Sequence, residues 1–208
     1  MKKIIYTLLI ITSVNFISCK SEVKKENNEK VTTKTEEKAL FSLKEANNLI
    51  SWTAYKTTEK KPVNGVFQKV NIIANGEGNT IKEAINNTEF SIPVSSVFTK
   101  DTGRDFKIKK FFFGIMDKTE LLSGKLILEN DSIGYSNLTM NGITKKLAFK
   151  YSIKENSFNL KGSLKISDWN AENALNSLNE ACKDLHKGSD GITKTWDEVT
   201  INITSTFK

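Results

Sequence analysis

From about Phe41 onward, the chain is a series of short segments in which apolar and polar residues alternate, separated by turn residues. Alternation with a period of two is typical of β-strands that bury one face. Turn signals such as Asn75-Gly76, Asn141-Gly142 and Glu155-Asn156 lie between these segments. The pattern predicts an all-β domain, an antiparallel meander of eight strands over residues 50–55, 63–73, 81–94, 121–128, 133–140, 146–153, 158–166 and 199–207, with the third beginning at Ile81 or at Ala84.

Two helices are predicted to interrupt the strands. A short one lies near residues 101–111, where Asp101 is placed to cap its N-terminus. A longer one lies near residues 171–187, where apolar residues recur at helical spacing and Gly188 follows as a stop signal. Eight antiparallel strands close into a barrel whose interior either is filled by side chains or holds one slender ligand. The pattern of the strands leaves both possibilities open.

The N-terminus has the three parts of a secretory signal peptide. Lys2 and Lys3 precede an almost entirely apolar run over residues 4–11, which is too short to span a bilayer comfortably. Ile17-Ser18-Cys19 then resembles a bacterial lipobox, which implies removal of residues 1–18 and acylation of the Cys19 thiol. An ordinary secreted protein and an uncleaved anchor are the alternatives. The expected location is periplasmic, lipid-anchored to the inner or outer membrane of a diderm bacterium.

A polar segment separates this signal from the strands. Residues 20–38 contain six lysines and five glutamates, with two valines as the only strongly apolar residues. Such a composition cannot offset the entropy of ordering by burying apolar area. Residues 19–40 are therefore predicted to be a flexible tether, and residues 41–208 a single folded domain.

Composition excludes several classes of function. The formal net charge of +7 falls to +5 without Lys2 and Lys3, and no basic block marks a nucleic-acid interface. One histidine and two cysteines leave little material for a zinc centre or for a nucleophile activated by an imidazole. Cys182 and His186 are four residues apart on the longer helix, but two ligands do not make a metal site. We predict no metal and no catalytic residues, and interpret Cys182 as a small core residue.

Several motifs together resemble the YceI-like family over residues 49–207. The resemblance is carried, in this order, by Asn64-Gly65-Val66-Phe67, Ser95-Ser96-Val97-Phe98-Thr99, Arg104-Asp105, Phe111-Phe112 and Leu138-Thr139-Met140-Asn141-Gly142-Ile143-Thr144-Lys145. It implies an extracytoplasmic, lipocalin-like eight-stranded barrel whose elongated apolar channel holds a polyisoprenoid or a similar amphiphile. It implies no cofactor beyond a bound isoprenoid or quinone-like lipid. Lys56 departs from the family pattern, because many members carry a histidine at the end of the first strand.

Aromatic residues are the candidate ligand-binding residues. A channel would use their rings to bury isoprene units, whereas an ordinary core would use the same rings as filling. Arg104 and Asp105 either orient a ligand headgroup or cap their helix and tie it to a neighbouring loop. The aromatic set considered for the channel includes Phe113, and the predicted lining consists of Trp52, Phe67, Phe90, Phe106, Phe111, Phe112, Phe149 and Trp169.

Two functions of different classes follow from the sequence. The first is a membrane-tethered, non-enzymatic lipid-binding protein that carries or sequesters a polyisoprenoid. The second is a structural or interaction lipoprotein with a filled barrel core and a protein-binding surface at residues 171–196. Formation of a homodimer is compatible with both.

Overall fold

The computed structural model describes residues 39–208. The predicted signal peptide 1–18, Cys19 and nearly all of the predicted tether lie outside the described residues. Within them the elements are β1 Phe41–Ser42, β2 Asn47–Lys56, β3 Lys61–Phe67, β4 Asn71–Ala74, β5 Glu77–Gly78, α1 Ile81–Ile85, β6 Glu89–Pro93, β7 Val97–Phe98, α2 Thr102–Phe111, β8 Leu121–Leu128, β9 Ile133–Met140, β10 Ile143–Lys154, β11 Ser157–Lys165, α3 Glu172–Ala181 and β12 Glu198–Thr206. Short 3-10 turns follow β6, α2 and β11 at Val94–Ser96, Phe113–Ile115 and Ile166–Trp169.

Ten of the strands form one antiparallel sheet in the order β4-β6-β8-β9-β10-β11-β12-β2-β3-β7. The two ends of this order meet, because β3 and β4 are stretches of one bent strand and β6 and β7 are stretches of another. β3 pairs with β7, β4 pairs with β6, and the Gln68 amide donates to the Ser96 carbonyl between the two ladders at 3.0 Å. The ten strands are thus eight continuous ones that close on themselves. The predicted eight-stranded, lipocalin-like antiparallel barrel is confirmed.

The prediction of a strand that begins at Ile81 or Ala84 is wrong as far as residue 88, because Ile81–Ile85 form the helix α1 and β6 begins at Glu89. A capping box starts this helix: the Glu83 amide donates to Thr80 Oγ1, and the Glu83 carboxylate accepts from the Thr80 amide, both at 3.2 Å. Ala84 and Ile85 are almost fully buried beneath the barrel. The Thr-x-x-Glu signal is present in the sequence, but the apolar residues beside it also fit a strand.

The two predicted helices are present, and one is shorter than expected. Asp101 caps α2 as predicted, because its Oδ1 accepts from the Arg104 amide at 2.9 Å. The helix α3 ends at Ala181 rather than near residue 187. The amides of Cys182 and Lys183 donate to carbonyls three residues earlier, which tightens the last turn and ends the helix there.

Helices cover both ends of the barrel. At one end, here called the closed end, α1 and Leu43 pack against Phe158 and Phe207. At the other end, here called the mouth, Ile108 of α2 and Ala174 of α3 join the core formed by the strands. None of the helices in the described part of the chain is long and apolar enough to cross a membrane.

Candidate functional site

An apolar cavity of about 170 Å³ lies inside the barrel. Inward-facing side chains of the strands form its wall, and Ile108, Phe112 and Leu175 from the two mouth helices cover it. None of the described residues that line it is charged, and only Ser136 and Thr195 bring a hydroxyl group. This interior therefore favours an apolar solute, for which transfer out of water is the main driving force.

Two further cavities continue this space along β2. A cavity of about 50 Å³ at the closed end is lined by Asn48 and Ile50, and one of about 250 Å³ at the mouth is lined by Trp52, Ala54 and Lys56. Ile50, Trp52 and Ala54 also line the central cavity, so the three spaces follow one another along the strand. At about 3.3 Å per residue and a tilt of about 40°, residues 48–56 span about 20 Å of the barrel axis. The three spaces, called the channel below, suit a long and slender molecule.

Glycines opposite the aromatic rings hold the channel open. Phe90 pairs with Gly124 on the adjacent strand, and Phe149 pairs with Gly134. Trp52 pairs with Gly65, where a Cβ atom would lie 2.2 Å from Cζ2 of the indole. Residues directly opposite on neighbouring strands share a face of the sheet. Each ring therefore lies against the wall of the barrel in the space that a side chain would fill, and the axis stays open.

Gly65→Ala should lower the free energy of unfolding by about 1–3 kcal/mol, because the new methyl group overlaps the Trp52 indole and forces it towards the axis. Urea denaturation measures this, and tryptophan fluorescence follows the ring. Gly103→Ala is the control: the nearest atom to its Cβ is 3.4 Å away and the position is helical, so its stability should stay equal or rise. Equal stability of wild type and Gly65→Ala would contradict this account of the wall.

The structure brings five of the eight candidate rings to the central cavity: Trp52, Phe67, Phe90, Phe112 and Phe149. Phe113, which belongs to the aromatic set considered from the sequence, also lines this cavity. The 3-10 turn after α2 redirects the chain so that the rings of Phe112 and Phe113 pack edge to face, 5.0 Å apart. The alternation of strand residues places four of these rings, but the run of three phenylalanines contains no signal for such a turn.

The other three candidates, Phe106, Phe111 and Trp169, do not line the cavity. Phe106 is 56% exposed on the outer side of α2, where it packs against Phe111 with ring centroids 6.5 Å apart. Trp169 is only 1% exposed, but it packs within the core and its Nε1 donates to the Leu138 carbonyl at 3.0 Å. Its place is structural, because both its ring and its polar atom are used within the fold.

Arg104 and Asp105 have separate places. Asp105 is buried, and its Oδ1 accepts from the Thr99 amide at 2.9 Å and from the Thr99 hydroxyl at 2.6 Å. It therefore ties α2 to the preceding strand. Arg104 lines the mouth, where its Nη2 lies 3.4 Å from Oδ2 of Asp101.

His186 and Cys182 also line the mouth. Thr195 donates its hydroxyl proton to Asn179 at 2.8 Å and therefore accepts from Nδ1 of His186 at 2.7 Å. Burial and then the neighbouring cations lower the pKa of His186 to about 4, so the ring is neutral at pH 7. Burial raises the pKa of the Cys182 thiol. Residues 39–208 contain no group of three or more His, Cys, Asp or Glu side chains that could hold a metal ion.

Acid should destabilise the fold partly through His186. Between about pH 6.5 and pH 4 the unfolded chain binds a proton that the folded chain does not, so stability falls as the pH falls. The full pKa shift of His186 corresponds to about 3 kcal/mol in the free energy of unfolding. Because the ring is partly exposed, the expected loss of stability is about 1–2 kcal/mol. Urea denaturation at pH 7 and pH 4 should therefore show a smaller loss for His186→Gln than for wild type. Equal losses would exclude this role.

A closed antiparallel barrel with an apolar axial channel and a helix-covered mouth defines a lipocalin-like class of protein. Within that class, the sequence of residues 41–207 matches the family model of the YceI-like domain. The chain belongs to the YceI-like family. No curated protein matches the sequence significantly.

Solved structures resemble the fold at low sequence identity. A polyisoprenoid-binding domain from Saccharophagus degradans, implicated in plant cell wall breakdown, aligns with a TM-score of 0.58 and 10% identity over 82% of this chain and 98% of its own. BcnA from Burkholderia cenocepacia aligns with a TM-score of 0.50 and 15% identity over 79% and 98%. The YCEI protein of Campylobacter jejuni gives a TM-score of 0.46 and 18% identity over 70% and 85%.

Proposed function

We propose that this chain is a membrane-tethered periplasmic lipid-binding protein that holds a polyisoprenoid or a similar long amphiphile in its barrel channel. The observation that carries the proposal is the uncharged apolar cavity on the axis of a closed barrel. Acylation of Cys19 and the tether 19–40 would keep the barrel at the membrane from which such a ligand comes. Carriage of the ligand or its sequestration is the resulting activity.

The energetics of the channel favour a long chain over a short one. Burial of about 500 Å² of apolar ligand surface corresponds to about 12 kcal/mol. Loss of translational and rotational freedom costs about 4–15 kcal/mol, so a short ligand would not be retained. A ligand that follows the channel from the closed end to the mouth reaches the larger area. The structurally similar domain from Saccharophagus degradans is a polyisoprenoid-binding domain, which supports the same class of ligand for this chain.

The protein is proposed to act by binding rather than by catalysis. The imidazole of His186 is neutral, and its Nδ1 is held by Thr195. The buried carboxylate of Asp105 is held by Thr99 within the fold. Each group is hydrogen-bonded to a threonine hydroxyl, but Nδ1 of His186 donates to Thr195 and so cannot accept its proton. The Asp105–Thr99 pair lies outside the residues that line the channel and its mouth.

A second candidate is an interaction lipoprotein that binds another protein through residues 171–196. Leu185 and Ile192 in this segment are 60% and 58% exposed, which favours such a surface. In this reading the barrel core is filled and takes up no ligand. A cavity of about 170 Å³ is unusual for a filled core, because voids much larger than a water molecule are few in protein interiors.

Uptake of radiolabelled octaprenol from donor vesicles separates the two candidates. The lipid-binding protein should take up one octaprenol per chain, and Phe90→Glu should abolish uptake by placing a charge in the channel. Ile133→Glu introduces the same carboxylate at an exposed position outside the channel and should leave uptake intact. Circular dichroism confirms that each variant is folded. Absence of uptake by folded wild-type protein would favour the interaction lipoprotein.

A further inference from the structure

Three cations from two elements converge at the mouth of the channel. Lys56 is the last residue of β2, while Arg104 and Lys107 lie one turn apart on α2 and share a face of that helix. The only carboxylate among the described residues that line the mouth is Asp101. With His186 neutral, the lining of the mouth carries an excess of positive charge.

The protein neutralises this charge only in part. Asp101 uses Oδ1 to cap α2 and approaches Arg104 with Oδ2 at 3.4 Å. Nζ of Lys56 donates to the Leu185 carbonyl at 3.0 Å, which uses one of its three N–H donors. Neither Lys56 nor Lys107 forms an ion pair with any carboxylate in residues 39–208. Their charges are therefore available to a ligand.

The three cations act on the same space. Lys56, Lys107 and Arg104 each contribute to lowering the pKa of His186, and each also opposes the burial that raises the pKa of Cys182. Both residues line the mouth. The positive potential therefore extends across the mouth instead of remaining on the outer face of α2.

The mouth opens directly onto the apolar channel. Trp52, Ala54, Ile108 and Leu178 line both spaces, so an apolar chain in the channel would place its polar end among the cations.

We infer that the mouth selects amphiphiles whose polar end is an anion, a phosphate or a carboxylate, held by Lys56, Arg104 and Lys107. This inference rests on the proposed function, because the chain of the ligand occupies the channel. Hydrogen bonds from lysine and arginine to such oxygens are charge-assisted and are stronger than bonds between neutral groups. A neutral alcohol on the same chain lacks this contribution.

The test compares geranylgeranyl phosphate, geranylgeranoic acid and geranylgeraniol, which share one apolar chain. Their dissociation constants are measured with the full chain at low ionic strength. Wild type should bind the phosphate and the acid at least tenfold more tightly than the alcohol. The Lys56→Gln, Lys107→Gln double variant should bring all three within about threefold and leave the affinity for the alcohol unchanged. Lys109→Gln, an exposed change on α2 outside the mouth, should behave as wild type.

Each other result would overturn the inference in a distinguishable way. Equal wild-type affinities for the anions and the alcohol would exclude headgroup selection while leaving the proposed function intact. A double variant that retains the preference for anions would exclude these two lysines. Absence of binding of all three amphiphiles would contradict the proposed function itself. Inorganic phosphate as competitor separates a free anion from a lipid headgroup, because displacement by equimolar phosphate would mean that the chain contributes nothing.

Discussion

Replacing Ala54 with tryptophan is expected to lower octaprenol affinity by about 100-fold or more while the barrel stays folded. Ala54 lies at the junction of the mouth and the central cavity, so an indole there would block the channel. A loss of only about 110 Å² of apolar contact corresponds to about 2.7 kcal/mol, which is about 100-fold in the dissociation constant. Equilibrium binding of labelled octaprenol measures the effect.

Ala148→Trp is the matched control for this variant. Ala148 is exposed on β10, so the same substitution adds the same ring outside the channel. Its affinity for octaprenol should stay within about twofold of wild type. Equal affinities of Ala54→Trp and Ala148→Trp, with both variants folded, would mean that the ligand does not pass this junction.

Trp169→Ala is expected to produce the largest loss of stability, about 3–5 kcal/mol. The ring is 1% exposed, and its removal leaves a cavity in the core as well as a Leu138 carbonyl without the indole donor. For a domain of this size the loss corresponds to a decrease in Tm of about 10 °C or more. Thermal unfolding followed by circular dichroism measures it.

Trp169→Phe separates the two contributions, because it keeps most of the ring volume and removes the donor. Its loss should be about 1–3 kcal/mol. Because Trp169 does not line the cavity, the phenylalanine variant should bind octaprenol as wild type does below its Tm. A Trp169→Ala variant with the stability of wild type would show that this ring is not part of the core.

The strands could be predicted closely because two local signals agree along them. β8 and β9 occupy the predicted residues, and Asn141-Gly142 forms the turn that joins β9 to β10 with positive φ at both residues. Alternation fixes which residues face inward, and the turns fix where each strand ends. The same two signals gave a wrong prediction for residues 81–85, because the apolar positions there fit either a helix or a strand.

Gly65 illustrates a second limit of the sequence. Asn-Gly is a dipeptide typical of turns, but Asn64-Gly65 lies within β3. The turn before β3 is formed at residues 57–60, where Thr57 and Lys60 have positive φ. The glycine is needed because the Trp52 indole occupies the place of its side chain. Such a requirement depends on a side chain of the neighbouring strand, so it cannot be recognised from the local sequence pattern.

The mouth could not be assembled from the sequence. Lys56, Lys107 and His186 are separated by 50 or more residues, and no periodicity relates them. They meet because β2 ends where α2 and the turn after α3 cover the barrel. Similarly, Phe106 and Trp169 are aromatic residues like the others, and only the packing of the helices and turns places them away from the cavity.

Native mass spectrometry tests the central claim most directly. The sample is residues 39–208, which contain the whole barrel and its core, purified from cells without detergent and then extracted with organic solvent. We predict a complex with one long-chain isoprenoid or similar amphiphile per chain, and recovery of that molecule in the extract. A mass of the protein alone, unchanged after incubation with octaprenol and geranylgeranyl phosphate, would contradict the claim.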